Sequence, residues 1–407
     1  MIHSFVEFLI KKKSEVMHHG FHPKKQRIIE LDALRGMSLF GILLMNILVF
    51  SFPYEHVRLD VALQGVNGFL FRVVSLLVIG SFYPIFSFLF GFSLMLIYNS
   101  TQQRGIAFKP VMIRRLIFLA LLGLIHGFFF YSGDILFTYA VMGFGAMWCT
   151  KSSVKRLKNA AIILFAIKVV IWGLPFLIMG WMTKAKLPFS GGSQAELNNV
   201  LQAQTSVHYI DFFLYNAQDN FSNIAATLTL DWLDIFPYLL LGMAAMKGHF
   251  VTWVKEHPTR AIKWGSLFII IGVLIKFLGA YAITNPGYMM FSFTVGGPLL
   301  SVGIVLLCFH MMQYHTAQKF LDPFRYLGKM SLSVYLSQTL VCMFFFAGFG
   351  LGFYNQLPLY QTYLFALALF LVQVVICYVY QRQFTQGPIE WVWRKVTYFG
   401  VKTMSSK

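Results

Sequence analysis

The sequence contains few charged residues. Only 12% of its 407 residues are charged, whereas a soluble globular protein carries about 25%. Among the charged residues the acidic ones are the rarer, with 15 Asp and Glu against 33 Lys and Arg. Because 57% of the residues are hydrophobic, the chain cannot cover a sizeable water-soluble domain with polar side chains. This composition excludes soluble enzymes and soluble binding modules.

Cysteine is also scarce, and no metal-binding spacing is present. The four cysteines lie within or at the ends of apolar runs, without a CxxC pair: Cys149, Cys308, Cys342 and Cys377. Their pattern excludes a disulfide framework and a cysteine-based zinc site. We therefore expect small buried thiols and no metal cofactor.

Long apolar runs make up most of the remaining sequence. A membrane-spanning helix needs about 20 mostly apolar residues. About ten runs meet this requirement, and they lie at residues 31–52, 80–99, 113–131, 134–150, 159–182, 223–246, 264–283, 289–312, 328–352 and 359–381. They predict an all-α, polytopic integral membrane protein whose main partner is the lipid bilayer.

Three regions follow from these runs. Residues 1–30 form a basic tail, 31–381 the transmembrane bundle, and 382–407 an interfacial segment. Within the bundle, the longest polar stretch, 183–222, is predicted to be one loop. It is too short to hold a hydrophobic core of its own.

The basic residues set the predicted orientation. Of the 33 Lys and Arg, only Arg58, Arg72, Lys184 and Lys186 fall in one of the two alternating sets of loops. Because cytoplasmic loops carry the excess of Lys and Arg, we expect both termini to be cytoplasmic and the 183–222 loop to be extracytoplasmic. The net charge of +18 is spread over short clusters between apolar runs, which excludes nucleic acid as a partner.

Ionisable groups form an inner tier near the predicted cytoplasmic face. Such groups are costly within a membrane and mark function by default. Asp32 and Arg35 stand at i and i+3, so they are expected to pair on one helix face. Arg114 and Arg115 begin the third span, and Arg side chains suit phosphate groups. The alternative is a set of charges that neutralise one another at the membrane interface.

A second tier lies further out and is acidic and protic. His126 is deep in the third span, and Asp134 follows it after a short turn. A histidine oriented by an acid is the minimum arrangement for a general base acting on a hydroxyl. Buried Lys168 and Lys276 offer another interpretation, a proton relay in a transporter, and a histidine packed in the core is a third.

The last segment begins with a helix-breaking Gly387-Pro388. Glu390 and Arg394 follow at i and i+4, a spacing that predicts an ion pair. Tryptophans at 391 and 393 are expected to anchor the segment at the membrane interface.

Five segments together resemble a bacterial membrane family, domain of unknown function 418 (the YeiB-like proteins). They are LDALRGMSLFGILLMN (31–46), YPIFSFLFGFSL (83–94), RR…GLIHG…GDILFTYAVMG (114–143), GKMSLSVYLSQ (328–338) and GPIEWVWRKVTY (387–398). They run from one end of the chain to the other. The resemblance implies a multi-pass protein of the bacterial inner membrane.

A more distant resemblance is to the transmembrane acyltransferases, including acyltransferase-3 and the heparan-glucosaminide N-acetyltransferases. It implies transfer of an acyl group from a cytoplasmic acyl-CoA to an acceptor on the far side. In acyltransferase-3 an Arg of the first span is followed, after ten residues, by a catalytic His. Arg35 matches that Arg, but Asn46 stands in place of the His and cannot act as a general base. His126 is then the expected base, or the chain does something other than acyl transfer.

The sequence therefore favours an acyltransferase and leaves two other functions open. Arg35, paired with Asp32, and Arg114 or Arg115 are predicted to hold the phosphates of an acyl-CoA donor. His126, oriented by Asp134 and at the height of Asn46, is predicted to activate a hydroxyl or amine. That acceptor is expected on an envelope glycan or lipid. The alternatives are a proton-coupled transporter and a non-catalytic scaffold, and the sequence names neither the acceptor, the acyl chain nor the oligomeric state.

Overall fold

The described residues are mainly helical. The computed structural model describes residues 28–183 and 193–401, and within these ranges it contains twenty α-helices, two π-helices and no β-strand. The predicted all-α class is thus confirmed. In chain order the α-helices are α1 Ile29–Ser51, α2 Leu59–Ala62, α3 Gly65–Leu77, α4 Phe82–Gln103, α5 Phe108–Phe129, α6 Leu136–Cys149, α7 Val154–Lys168, α8 Leu174–Met182, α9 Gln194–Thr205, α10 Tyr209–Thr229, α11 Asp231–Asp234, α12 Phe236–Lys247, α13 Phe250–Glu256, α14 Pro258–Tyr281, α15 Pro286–Phe291, α16 Gly297–Met311, α17 His315–Lys329, α18 Ser331–Phe346, α19 Leu359–Gln383 and α20 Pro388–Thr397.

Several of these helices are long and apolar enough to cross a membrane. Among the described residues, seven helical segments pass by length and composition, or nine if two bent pairs each count as one span. The bent pairs are α10 with α11–α12, at 61°, and α17 with α18, at 80°. The predicted fourth span corresponds to α6, whose 14 residues extend only about 21 Å at helical rise. The chain is a multi-pass membrane protein.

The segment predicted to be one polar loop is largely helical. Residues 184–192 lie outside the described part, but α9 and the first two thirds of α10 occupy most of the remainder. Ser193 begins α9 with a capping box, in which its side chain and that of Glu196 each accept a backbone N–H. Local capping, rather than an apolar face, explains why this polar stretch forms a helix. The predicted tail is described only from Ile28 onward, and the C-terminal segment contains α20.

Close crossing of α1 and α17 forms one side of the central bundle. A Cβ placed on Gly36 would overlap the backbone carbonyl oxygen of Phe324, and a Cβ on Gly328 would overlap that of Asp32. The two glycines thus let the helix backbones touch. This contact holds the polar start of α1 beside the break between α17 and α18.

Candidate functional site

The hairpin of α5 and α6 brings His126 and Asp134 together. His126 lies in the last turn of α5, and Asp134 lies in the turn that precedes α6. Gly123 lets the two helices of the hairpin approach closely, since a Cβ at this position would overlap the backbone nitrogen of Phe137. The atoms Nδ1 of His126 and Oδ1 of Asp134 are 2.8 Å apart.

The Asp134 carboxylate is held by four donors. Its Oδ1 accepts from His126 and from the Tyr335 hydroxyl, at 2.8 and 3.3 Å. Its Oδ2 accepts the backbone N–H groups of Leu136 and Phe137, at 2.9 and 3.2 Å. These two N–H groups open α6, where the helix dipole also favours a negative charge. The carboxylate therefore has a fixed position.

The other ring nitrogen of His126 is unpaired. The side chain is only 2% exposed, and its Nε2 has no hydrogen-bond partner among the described residues. Because an ionised carboxylate can only accept, the hydrogen bond to Asp134 assigns the ring proton to Nδ1. In the neutral imidazole, Nε2 then carries a lone pair that can accept a proton. This is the arrangement of a general base fixed by an acid.

A basic cavity lies beside this pair, within the bundle. It has a volume of about 340 Å³, and Arg35, Arg115, Lys329 and Arg394 contribute cationic groups to it. Tyr335, whose ring centroid is 5.3 Å from that of His126, lines the same cavity. Between these ends the walls are mainly apolar, formed by Leu39, Ile42, Phe86, Leu89, Phe90, Ile97, Leu119, Ile135, Leu136 and Tyr139. The cavity suits an elongated molecule with an anionic part and an apolar part.

Only some residues of the predicted inner tier line the cavity. Arg35 forms the expected ion pair with Asp32, at 3.1 Å, and also donates to the Ser93 hydroxyl. Arg115 lines the cavity, with its guanidinium 3.5 Å from the ring centroid of Trp393. Its neighbour Arg114 donates to a backbone carbonyl near the C-terminal end of the described chain and is not among the residues lining the cavity. Of the two adjacent arginines, only the second belongs to the site.

Asn46 is also separate from the site. It lies on α1 one turn beyond Ile42, the last residue of that helix to line the cavity, and is half-buried. It is not among the residues lining the cavity, and within the described ranges no hydrogen bond joins it to His126. The match with the distant acyltransferases at this position therefore gains no support from the geometry.

Glu390 does not form the predicted ion pair with Arg394. Instead, its Oε1 accepts the backbone N–H groups of Leu332 and Ser333, at 2.7 and 3.1 Å. Its Oε2 accepts from the Ser333 hydroxyl, at 2.5 Å. These N–H groups lie in the first turn of α18. The carboxylate is therefore stabilised by charge-assisted hydrogen bonds and by the helix dipole. Together these stabilise it more than one exposed ion pair with Arg394 would. Glu390 thereby holds α20 against the break between α17 and α18.

Two aromatic residues of the site were not predicted. Tyr335 bonds Asp134 across the bundle, and Trp393, expected only to anchor the interface, packs on Arg115 and donates its indole N–H to the backbone oxygen of Arg115, at 2.9 Å. Both lie in segments that carried the family resemblance, GKMSLSVYLSQ and GPIEWVWRKVTY. That resemblance was the only signal in the sequence that pointed to them.

A smaller polar cavity lies toward the predicted extracytoplasmic side. Its volume is about 190 Å³, and it combines the carboxylates of Glu55 and Asp219 with tyrosine rings. Tyr131, in the turn between His126 and Asp134, lines it. Loss of hydration raises the pKa of Glu55, although a hydrogen bond from the Tyr54 hydroxyl opposes the shift. Tyr131 thus lines the polar cavity, and Ile135 and Leu136 line the basic one, whereas His126 and Asp134 are not among the described residues that line either cavity.

Lys168 has an acidic partner. Its ammonium donates to Asp234, at 2.5 Å, and to the Tyr238 hydroxyl, at 2.9 Å. Tyr83 donates to the same carboxylate oxygen, at 2.9 Å. A π-helix, Val169–Gly173, follows Lys168 directly. Such π-helical turns are frequent at functional sites.

Lys276 belongs to a different network. Its ammonium donates to the backbone oxygen of Ile79, at 2.6 Å, and to the Ser81 hydroxyl, at 2.7 Å. Within the described ranges, no hydrogen bond links this group to the network of Lys168. The two lysines therefore lie in separate networks of direct hydrogen bonds among the described residues. In those ranges, no three His, Cys, Asp or Glu side chains are grouped as metal ligands.

Comparison with known proteins finds a family match over the C-terminal part of the chain. Residues 245–400, which include α17, α18 and α20, match the family described as "Protein of unknown function (DUF418)". The resemblance found in the sequence is thereby confirmed for this family, and the matched part contains Lys329, Tyr335 and Trp393.

Two relatives match over nearly the whole length of the chain. The chain is 28% identical to "Uncharacterized protein YxaH" of Bacillus subtilis, with 94% of this chain and 97% of the relative covered. It is 26% identical to "Uncharacterized protein YeiB" of Escherichia coli, with 91% of this chain and 96% of the relative covered. Both are bacterial, and their names state no activity that bears on the site.

Proposed function

We propose that this protein is an acyltransferase of the bacterial inner membrane. It takes an acyl group from a cytoplasmic acyl-CoA and transfers it to a hydroxyl or amine of an envelope glycan or lipid. One observation carries the proposal: Nε2 of His126, in a ring fixed by Asp134 and next to a tyrosine of the basic cavity, is buried with no hydrogen-bond partner among the described residues. A histidine that served packing alone would gain by pairing that nitrogen, because an unsatisfied buried polar atom costs about 1–3 kcal/mol.

The cavity supports an acyl-CoA as the donor substrate. Arg35, Arg115 and Lys329 offer charge to phosphate groups, and the apolar walls accommodate the acyl chain and its linker. The bonds from Arg35 to Asp32 and Ser93, and the stacking of Arg115 on Trp393, hold the two guanidinium groups in place. We assign the phosphate-binding role to Arg115 rather than to Arg114.

The chemistry requires one base and no metal. Nε2 of His126 removes the proton from the acceptor hydroxyl or amine, whose oxygen or nitrogen attacks the thioester carbonyl. The carbon–sulfur bond breaks, and the leaving thiolate takes that proton from His126 to become the CoA thiol. Asp134 holds the ring in position and stabilises the imidazolium between the two proton transfers. The polar cavity of Glu55 and Asp219 is the proposed entry for the acceptor.

Binding of the donor tests this proposal. We expect acetyl-CoA to raise the melting temperature of the detergent-purified protein, because a ligand that binds only the folded state stabilises it. Arg115→Gln should weaken this response, whereas Arg114→Gln, its matched control, should not. A wild-type protein that responds to neither acetyl-CoA nor longer acyl-CoAs contradicts the proposal.

One observation favours a second candidate, a proton-coupled transporter. The buried Lys168–Asp234 pair lies at the start of a π-helix, where a change of protonation can be coupled to a change of helix geometry. Under this alternative, Lys168→Met abolishes solute movement, and acyl-CoAs do not bind. The break between the networks of Lys168 and Lys276 makes it the weaker candidate.

A further inference from the structure

A second basic cavity adjoins the first on the predicted cytoplasmic side. It has a volume of about 520 Å³ and is lined by Arg104, Gln386, Trp391, Arg394, Lys395 and Tyr398. Gln386, Arg394 and Tyr398 also line the cavity that leads to Tyr335. We call this second space the vestibule. A molecule seated in the vestibule can therefore extend directly into the candidate site.

The vestibule concentrates positive charge. Arg104 caps the C-terminal end of α4, while Arg394 and Lys395 are neighbours in the last turn of α20. The described residues that line it include no carboxylate. Glu390, the acid closest in sequence to Arg394, is bound to the start of α18. The three cations thus have no countercharge from the lining residues.

Aromatic rings accompany these cations. Trp391 is 51% exposed, and the Lys395 ammonium lies 3.6 Å from the centroid of its ring. Tyr398 is half-buried at the boundary with the inner cavity. Guanidinium and ammonium groups bind phosphates, and aromatic faces stack on planar bases. The combination suits a phosphorylated nucleotide better than an isolated phosphate.

We propose that the vestibule binds the nucleoside bisphosphate part of the acyl donor. This inference rests on the proposed function and adds a subsite to it. Arg104, Arg394 and Lys395 hold the phosphates, and Trp391 or Tyr398 stacks on the base. The remaining phosphate of the donor, which joins this part to the linker, then reaches Arg35 and Arg115, and the thioester extends toward Tyr335. Anionic lipid headgroups carry the same phosphate chemistry, so the test separates the two sources.

The experiment measures equilibrium binding of three probes to the full chain in nanodiscs of neutral lipid. The probes are acetyl-CoA, adenosine 3′,5′-bisphosphate, and S-acetylpantetheine, which lacks the nucleotide. We expect Arg104→Gln and Lys395→Gln each to weaken binding of the first two by about tenfold, the loss of one charge-assisted contact. Binding of S-acetylpantetheine should not change. Arg382→Gln, an exposed arginine at the end of α19 outside the vestibule, is the matched control.

The outcomes separate this inference from the proposed function. If wild-type protein binds acetyl-CoA and both vestibule variants bind it equally well, the vestibule is not the nucleotide subsite, although the acyltransferase proposal stands. If the wild type binds none of the probes, the proposed function fails as well. Nanodiscs that also contain phosphatidylglycerol test the lipid source. If the variants retain less phosphatidylglycerol than the wild type but bind adenosine 3′,5′-bisphosphate equally well, the vestibule is a lipid site and the inference is overturned.

Discussion

Replacing Asp134 with Asn alters the proton pattern of His126 at almost constant side-chain volume. An amide has one accepting oxygen and one donating NH₂ group. Its oxygen should replace Oδ2, because the N–H groups of Leu136 and Phe137 at the start of α6 need an acceptor. The NH₂ group then faces Nδ1 of His126, which must accept, and the ring proton moves to Nε2. The nitrogen assigned as the base becomes a donor.

The size of the effect follows from this change of tautomer. The same substitution in serine protease triads lowers turnover by about 10⁴-fold, equivalent to about 5 kcal/mol. The cost in folding is smaller, about 1–3 kcal/mol, because the backbone bonds of Asp134 are kept and only the charge-assisted bond to His126 and the bond to Tyr335 are weakened. Loss of turnover should therefore far exceed loss of folded protein.

The assay records release of the CoA thiol from acetyl-CoA in membranes, divided by the amount of folded protein from fluorescence-detected gel filtration. Asp322→Asn is the matched control, since Asp322 forms a partly exposed pair with Arg325 outside the cavity. We expect the control to keep full turnover. If Asp134→Asn retains turnover within about tenfold of wild type, the tautomer reasoning is refuted.

Further predictions concern the inner tier, the topology and the hairpin. Arg35→Ala should reduce turnover far more than Arg58→Ala in an outer loop, and a fully active Arg35→Lys would show that a bidentate guanidinium is not required. Reporters fused after residue 155 should read cytoplasmic and after residue 200 extracytoplasmic, and a cytoplasmic signal at 200 would contradict the predicted orientation. Gly123→Ala should separate α5 from α6 and cost about 1–3 kcal/mol, seen as a lower melting temperature in detergent. An unchanged melting temperature would show that this close approach is not required.

Features set by local sequence were predictable. Apolar runs predict spanning helices because every backbone polar group must be satisfied within the membrane. The pairing of His126 with Asp134 was suggested by the short turn between two apolar runs, and the pairing of Asp32 with Arg35 by helical spacing. In each case the partners lie within ten residues or one turn of a helix, so chain connectivity alone brings them close.

Features set by distant packing were not predictable. Tyr335 reaches Asp134 from about 200 residues away. From the sequence, Glu390 could pair with Arg394 or with the start of a neighbouring helix. Only the position of α18 shows that it binds the helix start. Arg114 and Arg115 are equivalent as sequence, but helical rotation directs only the second toward the cavity. Such choices depend on how helices cross, which a single sequence does not state.

Turnover by His126 variants tests the central claim most directly. We predict that His126→Ala and His126→Asn both remain inserted and folded, and that both lose transfer of radiolabelled acetyl groups from acetyl-CoA to envelope material. Asn preserves some hydrogen bonding but cannot act as a base at neutral pH. Activity and membrane level are to be measured on the same preparations. If His126→Asn keeps its turnover per folded molecule, or if the loss follows protein abundance alone, His126 is a packing residue and the acyltransferase account is contradicted.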